Sequence, residues 1–309
     1  MAYHEEQYKR RISLAQANNA LIALISINII IFIVLASLKA IFIVQYRNDQ
    51  EALNFFYTHI LNQFSLSAQP GKILSKPWTI LSHMFTHSNV WRLLGNMLWL
   101  WLFGYIFLDL TGNRKIVPLY IYGCFAGALA FVLCYNLIPS LRLQLADGVI
   151  MGANPGIIAI AVAVTMIAPA YRIFPMILGG IPLWILTTIY LVIDLASISL
   201  NNTAEYGAHL TGALTGFLFI YSFRRGYDWS EWMSNFFDWV SNLFNPEKPR
   251  KGKNIKQELF YKSSTRPYKK TPNITEQRIN EILDKINQKG FNSLSDEEKD
   301  LLKRASQEK

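Results

Sequence analysis

The sequence predicts an all-α, polytopic membrane protein, with a bundle of six transmembrane helices followed by a small helical hairpin on the cytoplasmic side. Three observations lead to this fold class. Of the 309 residues, 51% are hydrophobic and only 17% are charged, whereas soluble domains carry about 25% charged residues. Several apolar runs have close to the roughly 20 residues that cross a bilayer. A polar, basic segment and two short amphipathic segments follow the last of these runs.

Six apolar runs are predicted as membrane spans, and with their loops they form one membrane domain over residues 18–226. The first run begins too late and is too long to be a cleaved signal peptide, and no small-residue cleavage site follows it. A short N-terminal tail, residues 1–17, precedes the domain. The predicted spans are residues 20–38, 93–110, 117–137, 152–170, 181–198 and 207–223.

Basic residues in the short loops predict the orientation of the chain, because Lys and Arg accumulate on the cytoplasmic side. The loops after the third and fifth runs carry a single basic residue, Arg142, and the long loop 45–92 departs from the pattern with four. The residues that mark the cytoplasmic side are Lys9, Arg10, Arg11, Arg114, Lys115, Arg172, Arg224 and Arg225. Both termini are therefore predicted to be cytoplasmic.

The chain beyond the membrane domain divides into three predicted segments. Residues 227–246 predict an amphipathic helix at the membrane interface, because their aromatic side chains share one helical stripe. Residues 247–272 form a linker with nine Lys or Arg and two Glu, which is expected to attract anionic lipid. No nucleic-acid recognition motif accompanies this charge, so the predicted partner is the lipid bilayer and not nucleic acid.

Residues 273–309 predict a helical hairpin. Gly290 is expected to end its first helix, and the capping box Ser295-Asp-Glu-Glu298 to begin its second. The apolar residues Ile279, Ile282, Leu283 and Ile286 form one face of the first helix. A hairpin of this size holds little core of its own, so it is expected to dock on a partner that the sequence does not identify.

The cysteines and histidines predict neither a metal site nor a cofactor. Cys124 and Cys134 both fall in the third span, where small buried hydrophobic side chains are the simpler interpretation. His83 and His87 have the i, i+4 spacing of helical metal ligands, but no third ligand is near them in the sequence.

Polar residues inside the spans are candidate functional residues, because their burial in a bilayer is costly. Asn96 opens the second span, Asn154 opens the fourth, and His209 lies in the sixth. His209 shares one helix face with Gly212 and Gly216, at i+3 and i+7. Since glycines let a neighbouring helix approach closely, His209 is predicted either to be a general base aimed at a nucleophile on that neighbour or to be a hydrogen-bonded interior histidine.

The order and spacing of these features resemble the rhomboid family of intramembrane serine proteases. The similarity rests on Pro77-Trp78, Phe85…His87…Asn96-Met97, Gly104…Asp109…Gly112…Arg114, 118-PLYIYGCFAGALAFVLCYN-136, Gly152-Ala153 and Ala208-His209…Gly212…Gly216. The tail 275-TEQRINEILDKINQKGFNSLSDEEKDLLKRAS-306 is similar to the small helical domain that ends a subset of bacterial rhomboids. The resemblance implies a six-helix rhomboid bundle in the bacterial cytoplasmic membrane.

The resemblance also implies a site with two altered positions. In the family, a serine nucleophile at the start of the fourth span works with a histidine in the sixth, and a histidine and an asparagine of the second span help to hold the oxyanion. In this chain Asn154 aligns with the serine and Pro155 with the glycine that follows it. Arg92 aligns with the oxyanion-side histidine, whereas Asn96 and His209 match the family.

A carboxamide offers no oxygen that an imidazole can deprotonate and that can then form an ester. The sequence therefore predicts a catalytically inactive pseudoprotease that binds transmembrane proteins (its clients), as the inactive rhomboids of animals and the derlins imply. Two alternatives stay open: an active intramembrane endopeptidase with a non-standard nucleophile, and a membrane anchor for a cytoplasmic partner. Asn154 is also predicted to cap the fourth helix, with Pro155 at its first position.

Overall fold

The computed structural model describes residues 19–46, 48–173, 179–198, 203–243 and 276–306. The chain divides into two compact units, Met1–Asn245 and Pro246–Lys309. The predicted N-terminal tail 1–17 and the basic linker 247–272 lie outside the described residues.

The first unit is built almost entirely of helices. Its helices are α1 (Ala20–Gln45), α2 (Asp49–Phe55), α3 (Pro70–Ser75), α4 (Thr79–Ser82), α5 (Val90–Thr111), α6 (Ile116–Leu137), α7 (Pro139–Arg142), α8 (Asn154–Ile167), α9 (Leu183–Ala196), α10 (Ala204–Arg224) and α11 (Glu231–Leu243). A π-helical turn spans Phe56–Ile60, and 3₁₀ turns span Leu61–Gln63 and His83–Phe85. The strands are β1 (Leu66–Ser67), β2 (Val149–Ile150), β3 (Arg172–Ile173) and β4 (Ile181–Pro182).

The four short strands form two antiparallel ribbons that join distant loops. In the first ribbon Leu66 of β1 lies opposite Ile150 of β2. This pairing ties the long loop after α1 to the segment that leads into α8. In the second ribbon Arg172 of β3 lies opposite Pro182 of β4, between α8 and α9.

Three of the described helices are long and apolar enough to cross a membrane. They are α1, α5 and α6, with 26, 22 and 22 residues. They coincide with the first three predicted spans to within a few residues, except that α1 runs on to Gln45. This difference arises because the apolar run continues after Lys39 as 40-AIFIV-44.

The predicted fourth and fifth spans are shorter in the structure than in the sequence analysis. Helices α8 and α9 have 14 residues each, about 21 Å at 1.5 Å per residue against a hydrocarbon core of roughly 30 Å. Gly152 explains the late start of α8, because its φ of +118° is not helical. The N–H of Gly152 donates instead to the carbonyl of His83 at 2.8 Å. The predicted sixth span, residues 207–223, lies within the 21-residue α10, which begins three residues earlier and ends one residue later.

Helix α8 is the centre of the bundle, and glycines of α6 and α10 allow its neighbours to approach. A Cβ added at Gly216 would lie 2.2 Å from the carbonyl oxygen of Ala159, and one at Gly212 would lie 2.5 Å from that of Pro155. On the α6 side, a Cβ at Gly123 would lie 2.8 Å from the same Pro155 oxygen. The predicted close approach at the glycine face of the sixth span is thus confirmed, and the neighbour is α8.

Helix α11 covers part of the predicted interfacial segment 227–246. The preceding turn is attached to α6, because Asp228 pairs with Lys115 and the carbonyl of Trp229 accepts a 2.8 Å hydrogen bond from the Tyr122 hydroxyl. Along α11 the side chains of Trp232 and Trp239 are more than half exposed. The location of this helix at a membrane interface stays a prediction.

The second unit consists of α12 (Glu276–Lys289), a 3₁₀ turn (Phe291–Ser293) and α13 (Asp296–Ala305). Gly290 follows α12 with φ +79°, as predicted for the end of that helix. The predicted capping box is present, since the Ser295 N–H donates to Glu298 Oε2 at 2.8 Å and the Glu298 N–H donates to Ser295 Oγ at 3.3 Å. Its small core contains Ile282, Leu294 and Leu301, with Ile286 and Leu302 packed beside them.

Candidate functional site

A buried carboxylate, Asp194 of α9, connects the two residues that the sequence analysis assigned to a catalytic dyad. Its Oδ1 accepts a 2.6 Å hydrogen bond from Asn154 Nδ2, and its Oδ2 lies 2.5 Å from His209 Nδ1. Asp194 and His209 are each about 5% exposed. The three side chains therefore form one connected group, in which the carboxylate lies between the amide and the imidazole.

The group continues on the other side of Asn154 into α5 and the loop before it. Asn96 Nδ2 donates to Asn154 Oδ1 at 2.7 Å and lies 3.2 Å from His87 Nε2. Because an amide nitrogen can only donate, His87 Nε2 is the acceptor and the hydrogen of a neutral ring resides on Nδ1. In this arrangement each contact from His87 through Asn96 and Asn154 to Asp194 joins a donor to an acceptor, as buried polar groups require.

The backbone of each element positions these side chains. The Gly212 and Gly216 face holds α10 against α8, so that His209, one turn before Gly212, reaches the start of α8. The Gly152 turn is anchored to the His83 carbonyl and delivers Asn154 as the first residue of α8. The site thus depends on close contacts between four helices, α5, α8, α9 and α10, and the segment before α5.

A small cavity adjoins the group. Its lining includes Arg92, Ser197 and Glu205 together with Asn154 and His209. The centre of a water molecule has about 10 Å³ available there, which is room for roughly one water. The site can therefore hold a water or a small polar group beside the imidazole.

The four residues singled out in the sequence are brought to this region, but in roles that differ from some predictions. Asn96 and His209 join the hydrogen-bonded group, and Arg92 lies half-buried on the cavity wall. The prediction that Asn154 caps a helix is wrong. Helix α8 begins at Asn154, Ala153 precedes it as the cap residue, and no side chain caps that end. The Asn154 amide is engaged by Asn96 and Asp194 instead.

Three site residues were missed by sequence reasoning. Asp194 is an ionisable residue inside the predicted span 181–198, a signal that should have marked it as a candidate because a charge at membrane depth is costly. His87, and not Arg92, is the side chain that accepts a hydrogen bond from Asn96. Ser197 brings a hydroxyl to the cavity, where it donates to the carbonyl of Asp194 at 2.7 Å.

Two histidines in the segment before α5 are buried. Burial lowers the pKa of His83 and of His87 from 6.5 to about 4, and the positive charge of Arg92 acts in the same direction on His87. Both imidazoles are therefore neutral at pH 7. The unfolded chain binds protons at these positions from about pH 6.5 downward, whereas the folded chain binds them only near pH 4.

We expect the membrane domain to lose stability as the pH falls from 6.5 towards 4. Between pH 7.5 and pH 5 each buried histidine should cost about 2 kcal/mol, the difference in proton binding between the two states. The measurement is the apparent melting temperature of the purified protein across this range. His83→Gln and His87→Gln should each flatten the pH dependence, and His59→Gln, which changes an exposed histidine, should not. Equal slopes in all three variants would contradict the assignment.

The fold and the site together define a mostly helical membrane protein with a buried histidine, carboxylate and amide at the N-terminal end of a central helix. The family model of the Rhomboid domain matches residues 74–226. The chain belongs to the rhomboid family. A second model, for a family of unknown function, matches residues 266–308, which include both helices of the second unit. No curated protein shows a sequence match to the chain.

Proposed function

We propose that this protein is a catalytically inactive rhomboid that binds transmembrane clients, with six membrane-crossing segments in a bacterial cytoplasmic membrane and both termini in the cytoplasm. Two of these six segments, α8 and α9, are 14-residue helices that span only part of the hydrocarbon core. The observation that carries the proposal is the state of Asn154, the residue aligned with the family's serine. Its amide is hydrogen-bonded on both sides, to Asn96 and to Asp194.

The order of the groups also argues against acyl transfer. Acyl transfer by a serine and a histidine needs the imidazole in contact with the nucleophile, so that a ring nitrogen can take its proton. Here the carboxylate of Asp194 lies between Asn154 and His209, and it engages His209 at Nδ1. His209 therefore has no nucleophile at position 154 to deprotonate. Loss of the nucleophile in a serine hydrolase removes about 10⁶ of rate.

The main test is labelling by a serine-directed fluorophosphonate. We expect the purified wild-type protein to remain unlabelled and not to cleave a transmembrane substrate. Ser197 makes the test sharper, because it brings a hydroxyl to the cavity that His209 also lines. Labelling of the wild type that disappears in both Ser197→Ala and His209→Ala would overturn the proposal in favour of an active endopeptidase with Ser197 as nucleophile.

The double variant Asn154→Ser with Arg92→His tests whether the cavity can still activate a serine nucleophile. It restores the family's residue types at the two altered positions while leaving Asn96 and His209 in place. Gain of fluorophosphonate labelling would mean that the two substitutions alone account for the inactivity. Absence of labelling would mean that the contact between Asp194 and His209 also keeps the site inactive, which Asp194→Asn in the same background would test.

Client binding is tested by crosslinking from the cavity. A photoreactive residue at Ser197 should capture membrane proteins, whereas the same residue at Leu129, an exposed position on α6, should capture none of the same proteins. Deletion of residues 247–309 separates this function from that of a membrane anchor for a cytoplasmic partner. Capture that persists after the deletion supports the client-binding role, and capture that is lost favours the anchor.

A further inference from the structure

His87 also lines a second, larger recess. It is a groove of about 380 Å³ between the second half of α1, the π-helical turn and the start of α5. We call it the α1 groove, and its lining includes Phe32, Ala36, Ala40 and Phe56, with Lys39, Tyr57 and His87 as its charged or titratable members. A groove of this size lies within the range of small-molecule sites.

His87 lines the α1 groove and carries a hydrogen-bond donor without a partner among the described residues. Its Nε2 accepts from Asn96, so the ring hydrogen is on Nδ1. The side chain is about 2% exposed, and Nδ1 has no hydrogen-bond partner among the described residues. The carbonyl of Phe85 is near the ring but not in hydrogen-bonding geometry with Nδ1. A buried donor left without an acceptor is costly, so this atom indicates a ligand that carries an acceptor.

Lys39 adds a positive charge to the same groove. Its ammonium lies 5.4 Å from the centre of the Tyr57 ring, and in the described part of the chain no carboxylate pairs with it. A basic side chain next to the hydrophobic region of a membrane attracts anionic headgroups. The groove therefore combines largely apolar walls with one cation and with neutral donors, among them His87.

We propose that the α1 groove binds one acyl chain of an anionic glycerophospholipid, with an ester carbonyl accepting from His87 Nδ1 and the phosphate near Lys39. A transmembrane helix fits the groove less well. With side chains a helix is at least 10 Å wide, and one 5.4 Å turn occupies roughly 400 Å³, so the groove would hold about one turn. An acyl chain is thinner than a helix, so a longer stretch of it fits in the same volume. The proposal is independent of the catalytic state of the site.

Such a lipid would act on the site through His87. An ester carbonyl at Nδ1 holds the ring hydrogen there, and Nε2 then stays an acceptor for Asn96. Asn96 in turn donates to Asn154. Occupation of the groove would thus stabilise the hydrogen-bonded group from outside the bundle.

The probe for this proposal is phosphatidylglycerol with a diazirine on one acyl chain, added to the purified full-length protein and irradiated. We expect labelling at Phe32, Ala36 or Ala40, mapped by peptide mass spectrometry. Ala40→Trp should fill the groove and reduce this labelling at least about fivefold. The matched control is Ala23→Trp, which adds the same side chain at an exposed position of α1 outside the groove, and it should leave labelling unchanged.

Competition identifies the headgroup. Unlabelled phosphatidylglycerol should compete better than phosphatidylcholine. Lys39→Gln should reduce this preference about fivefold, the effect of one basic residue on the binding of an anionic lipid. His87→Phe should weaken both lipids, with its melting temperature as the check on folding. Equal labelling of Ala40→Trp and Ala23→Trp, no preference between the headgroups, or competition by a transmembrane peptide but not by phosphatidylglycerol would each overturn the proposal.

Discussion

Replacing Gly216 by alanine will destabilise the membrane domain by about 3 kcal/mol, which corresponds to a fall of roughly 6 to 12 °C in its melting temperature. The added Cβ would lie 2.2 Å from the carbonyl oxygen of Ala159 and 2.9 Å from its Cα. These atoms belong to the backbone of α8, so no side chain can rotate away and a whole helix must move. The gain in helix propensity, about 1 kcal/mol for Gly→Ala, is smaller than this cost.

The matched control is Gly95→Ala in α5. A Cβ at Gly95 would meet no atom within 4 Å, so only the propensity term remains and the melting temperature should stay the same or rise slightly. Because movement of α10 also carries His209 away from Asp194, hydrogen exchange at the start of α8 should increase in Gly216→Ala and not in Gly95→Ala. Equal melting temperatures for the two variants would contradict the packing of α10 on α8.

Replacing Asp194 by alanine will destabilise the protein by about 3 to 5 kcal/mol, the typical effect of removing one partner from a buried ionic or strongly polar group. The change leaves Asn154 Nδ2 and His209 Nδ1 without their shared acceptor. Each buried donor that loses its partner costs about 1 to 3 kcal/mol. The melting temperature and hydrogen exchange across α9 and α10 are the measurements.

Asp194→Asn separates the loss of charge from the loss of hydrogen bonds. Its amide oxygen can still accept from Asn154, and its amide nitrogen can donate to a neutral His209 whose hydrogen has moved to Nε2. We therefore expect Asp194→Asn to cost less than half as much as Asp194→Ala. Asp147→Ala, at an exposed aspartate, should change stability by less than about 0.5 kcal/mol. If Asp194→Ala is as mild as Asp147→Ala, Asp194 does not hold the site together.

The sequence was a good guide where a local property decides the structure. Helices α1, α5 and α6 follow directly from long apolar runs. In the second unit, the glycine at the end of α12 and the capping box of α13 are local hydrogen-bonding patterns, and both are present. The helical spacing of His209, Gly212 and Gly216 was sufficient to predict a close helix contact on that face.

The sequence was a poor guide where a distant part of the chain competes with a local preference. Asn154-Pro155 has the composition of a helix start, yet the Asn154 side chain does not cap α8, because Asn96 and Asp194 offer it stronger buried partners. The start of α8 was predicted two residues too early for the same reason, since the Gly152 N–H donates to the His83 carbonyl and Gly152 stays outside the helix.

The sequence by itself determined that this chain is a membrane protein of the rhomboid family. It also placed an asparagine at position 154, which is predicted to align with the family's serine. These properties depend on residue type and spacing, which need no tertiary contact to be recognised. Only the tertiary structure decided that Asp194 lies between Asn154 and His209 and that His87 contacts Asn96. Whether two side chains form a hydrogen bond depends on differences of a few tenths of an ångström in the distance between them. The close packing of α8 against its glycine-bearing neighbours sets those distances.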